Sequence, residues 1–418
     1  MTNIAKHNES RSLNTFPDYA EIFQLGILVI LPFAALAGNV AADAALILTC
    51  AIFLSTYKGS VKHILNNHFI RMSFLFWIWI LVASAISLWP KQSFQDSLPW
   101  IRFPLYAFGL SMLLIDTRGR RLQVFLVAAS LATCIELGVL FIEYLYFRSP
   151  ETSRLYGTFS KLIPGWYLSC FGLISVLLLI EKYLKHNVTP QFAFLSAFYI
   201  IFCSIGIVLT GEIMMIIFFF GALILFFSAH VLKKPKIFLF ALTLVFFIAL
   251  ILMLDDPLRS RIFVALEKRI PWYESSDYYP AWKMGLMTFL ENPLFGIGPK
   301  NINLYCESLK ETGRLAQNLG LEQCLWHPHN LFLQIAAETG IVGLMLFIVL
   351  SGYLIARGIK VKWAGGSAIP ASLLIVSLFP IQTFSHAFGQ SKNFYLWTII
   401  GVSLALIHRY EENNKLSN

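Results

Sequence analysis

The sequence predicts an all-α integral membrane protein of about twelve transmembrane helices, with one large outer loop of short helices. Three observations predict it. Of 418 residues, 57% are hydrophobic and only 13% charged, with a mean hydropathy of +0.68, whereas soluble domains carry roughly 25% charged residues. Apolar runs of about twenty residues, the length that crosses a bilayer, recur along the chain. Lysine and arginine gather at alternate junctions between those runs, as they do in cytoplasmic loops. The net charge of +9 therefore reflects membrane topology rather than a nucleic-acid surface.

In order, the predicted spans lie at roughly 20–37, 40–56, 70–89, 100–115, 122–146, 162–180, 192–210, 213–231, 237–254, 331–355, 368–386 and 394–408. The basic junctions are Lys6 and Arg11; Lys58 and Lys62; Arg118, Arg120 and Arg121; Lys182 and Lys185; Lys233, Lys234 and Lys236; Arg357, Lys360 and Lys362; and Arg409 with Lys415. This alternation places both termini in the cytoplasm. The organisation expected is a cytoplasmic tail (1–19), nine spans (20–254), an outer loop (255–330), three spans (331–408) and a second tail (409–418). Residues 1–18 are polar and the first apolar run has no small-residue cleavage site, so no cleavable signal peptide is expected.

The outer loop is too long for a plain connector, and loops of such length usually carry function. Tyr279, Trp282, Leu286, Phe289 and Leu290 recur at helical spacing. Asn292-Pro293 ends that helix, and Pro293–Pro299 forms a glycine-hinged turn. A second helix is expected near Asn303–Arg314. Cys306 and Cys324 share the loop and either pair, if the compartment is oxidising, or remain free thiols. Cys50, Cys134, Cys170 and Cys203 lie in spans as small apolar residues.

The chemistry concentrates at Trp326-His327-Pro328-His329-Asn330, where the loop enters the apolar run beginning at Leu331. Pro328 biases His327 to extended backbone. Asn330 is an apt N-cap, so the helix starts just after it. His329 then stands beside a helix N-terminus, which favours neutral imidazole over imidazolium and attracts anions. A neutral base beside an anion site is a workable catalytic pair; the alternative is a capping histidine with one backbone bond. Asp255-Asp256-Pro257 reads as a turn and helix start rather than a metal site. His327 and His329 lack an evident third zinc ligand.

His329-Asn330, nine residues, then Gly340-x-x-Gly343 resembles the signature of the O-antigen ligase and polymerase family, and Pro293–Gly298 resembles that family's Pro-Leu-Phe-Gly-Ile-Gly element. The resemblance implies a glycosyltransferase C-type architecture whose outer loop faces the periplasm, in a bacterial inner membrane. It implies transfer of a glycan from undecaprenyl pyrophosphate to an acceptor sugar such as lipid A–core, inverting, with no metal or other cofactor and with His329 as general base. A repeat-unit polymerase fits the same residues. A protein oligosaccharyltransferase and a lipid-linked glycan transporter without chemistry are further readings, and the transporter lacks the expected internal repeat.

At two positions where the resemblance expects arginine the chain has Ile213, after Leu209-Thr210, and Tyr278, before Trp282. Arg102, Arg154, Arg259, Arg261 and Arg269 are the candidate diphosphate cations in their place, because guanidinium grips phosphate bidentately. The alternatives are a snorkelling Arg102 and a solvated helix face for the loop arginines. Glu212 is a candidate to orient a cation or sugar hydroxyl, and Trp326 to stack on sugar. Glu338 reads as structural, bonded to a neighbouring helix, and Glu136 remains open.

Overall fold

The computed structural model describes residues 19–57, 59–116, 119–147, 154–159, 164–229, 253–268, 276, 278–315, 324, 327–380, 387–389 and 391–417. The chain folds as α1 (Tyr19–Ala37), α2 (Asn39–Thr56), α3 (Val61–Asn66), α4 (His68–Ala85), α5 (Pro90–Ser97) and α6 (Arg102–Leu114). Next come α7 (Arg120–Phe147), α8 (Pro164–Lys185), α9 (Pro190–Leu209) and α10 (Ile213–Ser228). Three short helices follow: α11 (Asp256–Lys268), α12 (Tyr279–Glu291) and α13 (Ile302–Glu311). The last three are α14 (Leu331–Trp363), α15 (Ile369–Ser377) and α16 (Ser391–Ser417). No strand occurs among the described residues.

Local chemistry sets several starts. The Asn67 carboxamide accepts from the Phe69 N–H (3.0 Å) at the head of α4. Thr189 Oγ1 accepts from the Phe192 N–H (3.3 Å), with Pro190 as the first residue of α9. Such side chains satisfy the orphan donors of a first turn, where proline costs no bond.

Among the described residues seven helices are long and apolar enough to cross a membrane: α1, α2, α4, α7, α8, α9 and α14. The twelfth predicted span, 394–408, lies within α16, but two others are shorter helices than expected. α6 has 13 residues, about 20 Å of helix, because Pro99 sits in a 3₁₀ turn (Leu98–Ile101) ahead of it. α15 has 9 residues instead of filling 368–386. Phe379 precedes Pro380, and a residue before proline avoids the helical region. Most of the ninth predicted span, 237–254, lies outside the described residues.

α16 is the central post. It packs chiefly on α6 and also on α15, α14 and α2, and 393–407 are buried without a break, as expected of a helix apolar all round. Its Trp397 meets Trp100 (5.5 Å) and Phe69 (6.3 Å), and Trp100 meets Phe76 (5.2 Å). Tyr106 Oη and Thr398 Oγ1 bond at 2.8 Å, satisfying two buried hydroxyls.

Candidate active site

The sequence between α12 and α13 and the first half of α14 fold against each other as one joint. Gly340 interrupts α14 with φ 68° and ψ −170°, a conformation that glycine alone adopts readily. The break removes helical bonds in an apolar setting, where unsatisfied backbone is costly. The Pro293–Pro299 turn replaces them. The Ile297 N–H donates to Ala337 O (3.1 Å), the Gly298 N–H to Glu338 O (2.9 Å), and the Ile341 N–H to Pro293 O (2.8 Å). Trp79 Nε1 on α4 donates to Thr339 O (2.8 Å), and its ring stacks on Phe295 at 5.5 Å.

Glycine is required on both sides of this joint. A Cβ on Gly340 would lie 2.1 Å from Leu294 O, and one on Gly296 (φ 69°) 2.4 Å from the Glu338 carbonyl carbon. Below the turn, Asn301 Nδ2 donates to Ser93 Oγ (3.0 Å) and Ile297 O (2.9 Å). Lys300 pairs with Asp96 at 2.9 Å. Glu338 is buried, and its carboxylate accepts from Gln334 Nε2 (3.3 Å) one turn earlier on α14 and from the Lys300 and Ile302 N–H groups at the start of α13, the neighbouring-helix bond expected of it.

This joint fixes the mouth of α14. Asn330 is the N-cap, its Oδ1 accepting from the Leu333 N–H at 2.8 Å, and its Nδ2 donates to Pro380 O. His329 immediately precedes it with φ 53°, a left-handed conformation uncommon outside glycine and met at functional sites. Its imidazole packs edge-on against Tyr278 (4.8 Å) and His327 (4.0 Å). Tyr278, one of the two positions expected to carry arginine, thus borders the histidine. Among the described residues no three histidines, cysteines or carboxylates form a metal-binding group.

Ile213, the other such position, is buried. Its neighbour Glu212 accepts from the Gly165 N–H (3.0 Å) in the first turn of α8. Sequence reading missed the cation beside it. Lys392, at the head of α16, feels the Glu212 carboxylate, and its ammonium lies 5.1 Å from the Trp166 ring centre. Gln334 Oε1 accepts from the Ala387 N–H (2.9 Å), so the start of α16 is tied to the His329 helix. The available signal was a lone lysine at an outer junction otherwise poor in positive charge.

Of the predicted arginines, Arg102, Arg154 and Arg259 lie on separate segments. Arg102 Nε pairs with Asp43 (3.2 Å), and its Nη1 donates to Pro99 O. Arg154 begins a segment clamped by two glutamates: Glu143 accepts from the N–H groups of Tyr156 (2.9 Å) and Gly157 (2.7 Å), and Glu136 from the Thr158 N–H (3.1 Å) and hydroxyl (2.6 Å). Arg259 pairs with Asp256 one turn earlier on α11 (2.5 Å), both well exposed. Asp255 Oδ1 caps α11 through the Leu258 N–H (2.9 Å), the helix start expected of Asp255-Asp256-Pro257. Arg261 lies on α11, whereas Arg269 and Trp326 lie outside the described residues.

Cys306 and Cys324 form a disulfide with Cα atoms 5.6 Å apart. Cys306 is buried in a small core with Met284, Ile297, Leu309 and Ala337, which ties the loop to α14. In that core, burial with the Glu291 carboxylate beside it pushes the Tyr305 phenol up to about 12.

These features define a multi-pass, all-helical membrane protein with a histidine site at the mouth of a broken helix. Residues 198–348, from α9 into the second half of α14, match the family model described as O-antigen ligase. The match supports a membrane glycosyltransferase of the ligase or polymerase type, with lipid-linked glycan substrates. No curated protein matches the chain.

Proposed function

We propose that the chain transfers a glycan from undecaprenyl pyrophosphate to a hydroxyl of an acceptor sugar of the lipid A–core type, at the periplasmic face of the inner membrane. The observation that carries this reading is His329, held in left-handed backbone at the α14 mouth within the matched domain. An imidazole nitrogen takes the acceptor's hydroxyl proton as that oxygen bonds to the anomeric carbon from the face opposite the leaving group. The bond from anomeric carbon to phosphate oxygen breaks, and the diphosphate leaves with the electron pair. The configuration inverts, and no nucleotide is needed because the leaving group is already attached.

The leaving diphosphate needs positive charge. Lys392 is the proposed first contact, within the electrostatic influence of Glu212, with Arg102, Arg154 and the α11 arginines as further candidates. The donor's hydrocarbon chain has a fitting path: a groove of about 470 Å³ between α10 and α15, lined from Met214 to Leu225 and by Ile375, Val376 and Phe379. One end lies next to Glu212 and the other wall ends beside Pro380, the residue bonded to Asn330.

The test is His329→Ala in a strain lacking its own enzyme. Surface glycan should fall by about 10²–10⁴ in transfer rate, the usual share of a general base, while protein level and lipid-linked donor persist. Unchanged surface glycan rejects the assignment. Donor-linked polymer accumulating marks a ligase; attachment of single repeats only marks a polymerase.

A further inference from the structure

A polar cavity far along α16 from Lys392 plays no part in the proposed transfer. Arg409 on α16 lies seventeen residues beyond Lys392, about 25 Å along the helix. There a cavity of about 400 Å³ opens between the start of α7, the end of α8, the Gly365–Ser367 turn and the end of α16. That volume is within the usual range for small-ligand sites.

Basic side chains from two helices line it. Lys182, Lys185 and His186 come from the end of α8, and Arg409 from α16. Among the described residues Glu181 is the only carboxylate in the lining, and it is already engaged: Lys185 pairs with it at 2.9 Å and Ser367 Oγ donates to it at 3.0 Å. Three permanent positive charges therefore face one negative. The lining also has an aliphatic part, Leu122, Leu126, Leu178 and Leu406. The Lys182 ammonium also rests 4.7 Å from the Phe192 ring centre, which limits its freedom. A positive-inside bias explains basic residues at these junctions, but not that they line a cavity together with leucines.

We propose that this cavity binds a phosphate group, with Lys182 and Arg409 as its contacts. The leucine part of the lining fits the glycerol and first methylenes of an anionic phospholipid, because basic pockets between helices recognise lipid phosphates. Soluble phosphate is the other source of the same chemistry. The site and its test are independent of the glycan-transfer reading.

The experiment uses the full chain in nanodiscs of equal phosphatidylglycerol and phosphatidylcholine, with native mass spectrometry of the lipid retained after detergent release. Wild type should retain phosphatidylglycerol in preference. Lys182→Gln with Arg409→Gln should lower that preference about 30-fold, the conversion of two surface cations' attraction. Lys182→Arg with Arg409→Lys should restore it, and His329→Ala should leave it intact. In a second arm, inorganic phosphate is titrated into lipid-free protein while thermal unfolding is followed. A rise in melting temperature seen only in wild type, without lipid preference, assigns the cavity to soluble phosphate. Wild type with neither lipid preference nor a phosphate-dependent shift overturns the proposal whatever the variants do, as does preference unchanged by the double glutamine variant.

Discussion

At the scale of single residues, two side chains divide the proposed chemistry. His329 is placed by backbone: a left-handed φ of 53° turns its ring toward Tyr278 and His327 before Asn330 closes the helix. The Asn330 cap contributes about 1 kcal/mol to that placement. Lys392 rests over the Trp166 ring at 5.1 Å and feels the Glu212 carboxylate. If its ammonium contacts the diphosphate, Lys392→Gln should slow transfer about 10- to 100-fold, the usual range for a charged hydrogen bond, and Lys392→Arg should recover most of it. Transfer measured with purified donor decides this; equal rates in all three proteins would leave Lys392 a packing residue.

At the scale of elements, the Pro293–Pro299 turn and the Gly340 break form one structure, since each supplies the backbone partners the other lacks. Gly340→Ala adds a Cβ 2.1 Å from Leu294 O at a positive φ. Its expected cost is at least ~1–3 kcal/mol from the backbone conformation alone. The readout is a lower melting temperature together with lost transfer, and Gly352→Ala, where a Cβ meets open space, is the comparison. The disulfide adds a second constraint. Cys306→Ser should destabilise the loop by about 3 kcal/mol on the chain-entropy account, seen as faster proteolysis between α12 and α14. Unchanged proteolysis would show that the small core around Met284 holds the loop unaided.

At the scale of the whole molecule, the alternation of basic junctions sets an orientation that a labelling experiment can check. Glu307 on α13 and Glu412 on α16 are both exposed, and the alternation of basic junctions expects them on opposite faces. Glu307→Cys should react with a membrane-impermeant thiol reagent in intact spheroplasts, and Glu412→Cys only after permeabilisation. The reverse pattern would turn the molecule over and place His329 on the cytoplasmic side.

The apolar runs, the positive junctions, the helix stop at Asn292-Pro293 and the N-cap at Asn330 were all legible in the sequence, because each depends on composition or on neighbours a few residues away. The disulfide partners were named, but their pairing depended on a distance that spacing does not provide. Three features needed tertiary structure. The break at Gly340 exists because residues nearly fifty positions upstream supply its hydrogen bonds. The short α15 reflects a proline whose carbonyl is held by Asn330 from another helix. Lys392 gains meaning only beside Glu212, 180 positions earlier in the chain. Local backbone preference and hydrophobicity are properties of a segment; the partner of a freed carbonyl or a desolvated charge is a property of the packed bundle.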